Sequence, residues 1–302
     1  MMATREGGRH AEQMRSICAS VSPLPFFRAA CKYMYTPLSP LFLQKSKPTL
    51  GLLRLRLIPL FTRRLLARPV IKTGVISQAA GSAYVELDKT KVMCGVYGPR
   101  QGGKSGGGGA NNEQGCIEVD VKLATFATPG VRGKTGQGDA EREFSGLVLR
   151  ALEGAVITET FPKTSVDVYA TVMEAGGAEL PAVVAAASAA LAQAGVAMRD
   201  LVSACSVSRV ASSSTSSTSS STLILDPTTA EEGASDGGVT IAHMAMLGEA
   251  TQVVVTGSWD GDALDEAIQL AASGCARVDQ ALREVLRQGA MEAATLAGTG
   301  SL

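Results

Sequence analysis

From Ser165 to Val196 the chain reads SVDVYATVMEAGGAELPAVVAAASAALAQAGV. Ser165 to Val172 is a short Val-rich run with Tyr169 and Thr171, the composition of a strand. Gly176-Gly177 breaks that pattern. Glu179 to Ala194 is then almost wholly Ala, Val and Leu. A helix that is apolar all round is a buried one, and small side chains let it pack closely on a sheet.

Working outward, Val70 to Ser77, Ala83 to Leu87 and Lys91 to Tyr97 are β-branched runs broken at Gly81-Ser82 and Asp88-Lys89, which predicts an antiparallel meander. Cys116 to Thr125 alternates Ile117, Val119, Val121 and Leu123 against Glu118, Asp120 and Lys122, the period of a strand with one wet face. Asp139 to Ile157 carries Phe144, Leu147, Val148, Ala151, Leu152 and Ala155 on one helical stripe. Strands are expected at Leu201 to Val210, Thr222 to Leu225, Val239 to Met246 and Ala250 to Thr256. A last helix is expected from Asp262, as N-cap, to Gln288, stopped by Gly289. The order of elements predicts one α+β domain over 69–289, a mixed sheet with packed helices, followed by a tail at 290–302.

The 302 residues are 45% hydrophobic with a mean hydropathy of +0.15, enough to bury a core and too much for a wholly disordered chain. The net charge of zero hides a split. Residues 1–68 hold twelve Lys and Arg against only Glu6 and Glu12, and the remainder holds sixteen bases against twenty-six acids. The basic, Leu- and Arg-rich head at 1–68 resembles a transit peptide in composition; a disordered arm or a non-native exon are the alternatives. The six cysteines include no C-x-x-C pair and no nearby histidine, which argues for reduced thiols over a zinc site or a disulfide framework. Of the two histidines, His243 sits in an apolar run and reads as a satisfied core or edge-strand residue. No run of eighteen uncharged apolar residues is present, so no membrane span is expected.

Two segments of low complexity, 102–112 and 212–221, are expected to be flexible loops. The first overlaps a literal phosphate-loop string, Gly98-Pro-Arg-Gln-Gly-Gly-Lys104-Ser105. That motif works only where its amides run into a helix N-terminus. Here Gly106 to Gly109 follow, each about 1 kcal/mol worse than Ala in a helix, and the next expected element is a strand. Nucleotide binding at this string is therefore rejected in favour of a Gly-rich loop.

Gly74 to Val92, ending in Val96-Tyr-Gly98-Pro99-Arg100, resembles the opening of the RNase PH family. Glu174-Ala-Gly176-Gly177 before the Ala-rich helix, Ala194-Gly195-Val196, Leu225-Asp226-Pro227 and Glu231-Glu232 fall in that family's order. The resemblance covers about 69–289 and implies the RNase PH-like fold, of the ribosomal protein S5 domain 2-like type. Members are phosphorolytic 3′-to-5′ exoribonucleases, or inactive relatives that build the six-membered ring of the RNA exosome core.

Residue by residue, the resemblance implies a degenerate site. Active members hold phosphate with a Thr-Arg pair directly after the Gly-Gly; this chain has Ala178 and Glu179 there. A carboxylate in place of an arginine turns a charge-assisted bond of about 1.5–3 kcal/mol into repulsion. The metal-holding aspartates of the family fall on Glu232 and Gly238, the second without any side chain. Asp236 lies two residues off, roughly 7 Å along a strand. The acid that ordinarily precedes the Gly-Gly is replaced by Ala175, with Glu174 one place earlier. Glu231, Glu232 and Asp236 are expected to be solvent-exposed loop carboxylates.

The expectation is thus a non-catalytic ring subunit, with no cofactor and no metal. The partners the resemblance implies are other RNase PH-like subunits in a six-membered ring, S1/KH-type cap subunits and single-stranded RNA, serving rRNA processing and RNA degradation. The implied compartments are nucleus, nucleolus and cytoplasm, with mitochondrial targeting by 1–68 as the alternative. Arg100, Lys104, Arg132 and Lys134 are the expected RNA contacts, because phosphate binding in a channel draws on Lys and Arg. With 4% aromatic residues, base stacking is expected to be minor. An active phosphorolytic enzyme with a displaced site, and a nucleotide binder, are the competing readings.

Overall fold

The computed structural model describes residues 69–100, 115–127, 138–211 and 221–299. The head at 1–68, and with it the targeting reading, lies outside the described residues. So do 101–114, 128–137 and 212–220, which take in the loop expected at 102–112 and all of the one expected at 212–221 except Ser221.

The strands are β1 (Val70–Thr73), β2 (Gly81–Leu87), β3 (Thr90–Arg100), β4 (Cys116–Leu123), β5 (Ser165–Glu174), β6 (Val202–Ala211), β7 (Ser221–Leu225), β8 (Ser235–Met244) and β9 (Glu249–Gly257). The α-helices are α1 (Asp139–Glu153), α2 (Glu179–Gln193), α3 (Thr229–Gly233) and α4 (Gly261–Thr299). The fold is α+β, as the sequence predicts.

The expected mixed sheet is present, in the order β1-β2-β3-β5-β4. Its meander β1-β2-β3 is antiparallel, and β4 lies parallel to β5 with Cys116 opposite Ser165. A second, wholly antiparallel sheet stands beside it, in the order β7-β6-β8-β9. The pairing of β6 to β9 with one another, apart from the first sheet, is a long-range choice that periodicity does not reveal.

Helix α2 explains its own composition. It packs on β2 and β3 of the first sheet and on β6 of the second, and every residue from Pro181 to Leu191 is buried. Alanines allow that approach. A Cβ on Gly81 would stand 2.2 Å from the Ala190 carbonyl oxygen, so only glycine fits where β2 meets the helix. Gln193 ties the helix end to the sheet by accepting from the N–H groups of Gly74 (3.0 Å) and Ser82 (2.8 Å). On the far side, the Val202 N–H donates to Ser188 Oγ at 2.9 Å.

Helix α4 covers the opposite face of the second sheet, with Ala267 and Ala271 against Val207, Val239 and Ile241. It does not stop at Gly289 but continues to Thr299. A Cβ at Gly289 would meet Thr73 Oγ1 at 3.2 Å, so this glycine serves the close passage of the helix past β1. Asp262 lies in the first turn instead of capping it. His243 is on β8, an inner strand and not an edge, and its Nδ1 has no hydrogen-bond partner. Burial holds its imidazole below the usual histidine range, offset in part by the carboxylates of Asp200 and Asp279.

Candidate functional site

The site grows from the glycine pair at the end of β5. Gly177 adopts φ +109°, and a Cβ there would lie 2.4 Å from the Pro227 carbonyl oxygen. Both the conformation and the crowding demand glycine. Thr90 locks the turn, donating to the Gly177 carbonyl at 2.5 Å and accepting from the Gly176 N–H at 3.1 Å. The Thr229 N–H reaches the Gly176 carbonyl at 2.9 Å. The segment leading into α3 is thereby pressed against the entrance of α2.

Glu231 and Glu232 are not the exposed loop carboxylates that the sequence predicts: they lie in helix α3 and are partly buried. Thr228 and Glu231 form a capping box, Glu231 Oε2 accepting from the Thr228 N–H at 2.8 Å. Glu232 turns the other way. Its Oε1 accepts from the Ala178 N–H at 3.0 Å, at the N-terminus of α2. Ala178 is the N-cap of that helix, sits at φ +51° and supplies no side-chain cap of its own. The first N–H groups of a helix lack intrahelical partners and carry partial positive charge. Glu232 supplies the missing acceptor, half-buried, while Glu179 adds a second carboxylate in the first turn. Burial raises the Glu232 carboxyl above the ordinary glutamate value, the Ala178 N–H pulls it back, and the charge of Glu179 pushes it up again. Only Asp236 of the three acids is exposed as expected.

A cavity of about 390 Å³ opens over the same end of the second sheet. Ser206, Ser208, Thr240 and Thr256 contribute hydroxyls to it, and Glu232 and Asp236 contribute carboxylates. No Lys, Arg or His is among the described residues that line it. Gly238 lies on its wall, where a Cβ would be 3.2 Å from Thr256 Oγ1. Asp226 stands close by, at φ +48°, its N–H donating to the Ser206 carbonyl at 2.8 Å. Its Oδ1 is buried without a partner, and burial pushes the carboxyl up to about 6.

The metal of the active family members does not fit this donor set. One of the two matched positions is the hydrogen-bonded Glu232 and the other is Gly238, which has nothing to offer. Among the described residues no three His, Cys, Asp or Glu side chains converge as metal ligands. Glu174, one place before the position of the family's acid, is engaged on the surface with Lys91 Nζ at 2.8 Å.

Arg100 ends β3, exposed, with its guanidinium 5.1 Å from the centroid of the Tyr97 ring. Tyr97 in turn meets Tyr169 edge to face at 5.8 Å. That aromatic pair on the open face of the first sheet was not anticipated from composition. Lys104, Arg132 and Lys134 lie outside the described residues. Gly98 to Arg100, the start of the phosphate-loop string, belong to β3, with Arg100 paired to Ser165, and the next described element is strand β4.

A second polar cluster was also missed. Arg283 on α4 bonds Asp279 Oδ2 through Nε at 2.8 Å and Asp200 Oδ1 through Nη2. Burial works to raise the Asp200 carboxyl, but Arg283 and the N–H groups of Met246 and Leu201 hold it below the ordinary aspartate value. The (i, i+4) spacing of Asp279 and Arg283 was visible in the sequence, whereas Asp200 was too distant to connect.

A model described as the 3′ exoribonuclease family, domain 1 (RNase_PH), matches residues 67–197. The chain is 38% identical over 221 residues to an Arabidopsis thaliana protein named exosome complex component RRP41-like, covering 73% of this chain and 80% of that one. It is 38% identical over 247 residues to the Homo sapiens exosome complex component MTR3, covering 78% and 86%. Its fold is similar to that of rice (Oryza sativa) Rrp46, with a TM-score of 0.61 over 73% of this chain and 95% of that one, at 23% identity.

Proposed function

The chain belongs to the RNase PH family of 3′ exoribonucleases, and from that premise we propose that it is a non-catalytic, RNase PH-like subunit of an RNA exosome core ring, of the mRNA transport regulator type. In this role it packs between other RNase PH-like subunits, supports S1/KH-type cap subunits and helps form the channel for single-stranded RNA. It acts in 3′-to-5′ RNA processing and degradation, rRNA included, in nucleus, nucleolus and cytoplasm. Among the described residues, no helix is long and apolar enough to cross a membrane.

One observation carries the non-catalytic reading: Glu232 accepts the Ala178 N–H at the helix terminus where active members take phosphate. Phosphorolysis needs inorganic phosphate beside the scissile linkage and a cation to offset its charge in the transition state. Here the terminus is engaged by a carboxylate, Glu179 stands in place of an arginine, and no Lys, Arg or His is among the described residues that line the adjoining cavity. Arg100, stacked on Tyr97, is the described candidate for contact with RNA.

The test is release of nucleoside diphosphates from labelled single-stranded RNA by the purified full-length chain, with phosphate and magnesium. None is expected, together with co-purification of other RNase PH-like chains. Phosphate-dependent shortening that Glu232→Gln abolishes would overturn the proposal. The competing reading, an active enzyme with a displaced site, draws on Asp236, exposed at the cavity two residues before Gly238. Phosphate and manganese bound between Glu179 and Glu232 in a soaked crystal would favour it.

A further inference from the structure

A cavity of about 390 Å³ lies over Gly238, at the end of the second sheet nearest Glu232. Its polar lining includes hydroxyls from three strands, Ser206 and Ser208 on β6, Ser235 and Thr240 on β8 and Thr256 on β9, with the carboxylates of Glu232 and Asp236. Two observations point to an occupant. Ser206 is only 7% exposed and its Oγ has no hydrogen-bond partner, although the residue lines the cavity. Buried hydroxyls in folded proteins are almost always bonded, so an unbonded one beside a cavity marks a place for a ligand atom. The charge is also one-sided, since carboxylates face a space of about 390 Å³ with no base among the described residues lining it.

The chemistry of such a ligand follows from what the wall accepts. Ionised carboxylates only accept hydrogen bonds, and hydroxyls can accept them. An alkylammonium carries three donors, no acceptor and a compact positive charge. A phosphate brings acceptors and negative charge to the same wall and is repelled. A bare metal ion is a poorer match, because no three ligating side chains converge among the described residues. We propose that this cavity binds an alkylammonium group, supplied by a free polyamine or by a lysine side chain of a neighbouring subunit. The inference rests on the non-phosphorolytic reading of the site and gives its cavity a cationic occupant.

Calorimetric titration of the full-length chain with spermidine tests it. One saturable site is expected, with at least tenfold weaker binding in Glu232→Gln and a further loss on adding Asp236→Asn. Glutamine keeps an amide oxygen for the Ala178 N–H, so the fold survives the first change. Inorganic phosphate, titrated in parallel, is expected not to bind. Repeating the spermidine titration on the chain assembled with co-expressed ring subunits separates the sources. Binding that persists identifies a free polyamine; binding lost on assembly identifies a neighbour's lysine. No saturable binding to the isolated chain, equal binding by Glu232→Gln, or saturable phosphate binding would overturn the inference. Phosphate-dependent RNA shortening would overturn the non-catalytic reading and this inference together. A chain that neither degrades RNA nor binds spermidine overturns this inference alone.

Discussion

The Ala178 N–H and Glu232 Oε1 stand 3.0 Å apart, joining the N-terminus of α2 to a residue fifty-four positions later. Ala178 cannot cap the helix itself, so this bond is a cap delivered from outside. Loss of a side-chain cap typically costs about 1 kcal/mol. Glu232→Ala is therefore expected to lower unfolding free energy by about 1 kcal/mol in urea titrations, while Glu232→Gln, which retains an acceptor, stays within about half that. Equal losses in the two variants would show that the bond does not cap α2.

Asp226 makes the pH dependence of stability readable. Its folded carboxyl is raised from 3.8 to about 6 by burial, so the folded state binds more protons than the unfolded state between those values. Stability contributed by the neutral form is present below about pH 4 and is lost as pH rises through about 6. The shift corresponds to an order of 3 kcal/mol, taking 1.36 kcal/mol per unit. Asp226→Asn is expected to remove that loss and to be more stable than wild type at pH 7.5, since asparagine also tolerates the positive φ at this position. Unfolding measured at pH 4.5 and 7.5 checks it, and an unchanged difference between the two pH values in the variant would refute it. Asp200 runs in the opposite sense. Its folded carboxyl is depressed, so its contribution is present above the unfolded value and is lost as pH falls through the folded one.

Gly177 and Gly195 share a positive φ but not a neighbourhood. A Cβ at Gly177 would press within 2.4–2.6 Å of the backbone at Pro227, Thr228 and Thr229, whereas at Gly195 nothing lies within 4 Å. Gly195→Ala is expected to cost only the left-handed strain of about 1–2 kcal/mol. Gly177→Ala should cost clearly more, because the 227–229 backbone must also move. Comparable unfolding free energies for the two variants would contradict the close approach.

Much of this architecture was legible because it is local. The ends of α2 follow from an Ala, Val and Leu run set between Gly-Gly and Gly195, and β4 from its alternation. Helix α3 escaped notice since five residues give no period, although Thr228-x-x-Glu231 is a capping-box string. The continuation of α4 past Gly289 depends on its passage beside Thr73, and the division into two sheets depends on which strands meet. The residue identities at the candidate site were visible. The bond from Glu232 to Ala178 was not, because it joins segments that only the fold brings together.

Arg100 and Tyr97 can be separated by salt. If Arg100 contacts an RNA phosphate, Arg100→Ala in the assembled ring should weaken single-stranded RNA binding uniformly across sequences and reduce the salt slope by about one. Tyr97→Leu removes the ring beneath the guanidinium, 5.1 Å from its centroid, and should weaken binding without changing the slope by as much. An unaltered slope in Arg100→Ala would exclude the phosphate contact.

Reversing the charge at the entrance of α2 should restore anion binding but not catalysis. In a Glu179→Arg/Glu232→Gln double variant the helix terminus faces a guanidinium in place of two carboxylates, and both Coulomb attraction and the N-terminal partial charge then favour phosphate. Calorimetry is expected to detect saturable phosphate binding that wild type lacks. The same variant should still release no nucleoside diphosphates, because Gly238 offers no donor for a cation and Glu232 has become an amide. Adding Gly238→Asp places a Cβ 3.2 Å from Thr256 Oγ1, which accepts from the Gly238 N–H at 3.1 Å and must shift by a few tenths of an ångström to admit it. If the double variant already degrades RNA with phosphate, the missing carboxylate is not what silences the site, and the displaced-site reading gains the ground.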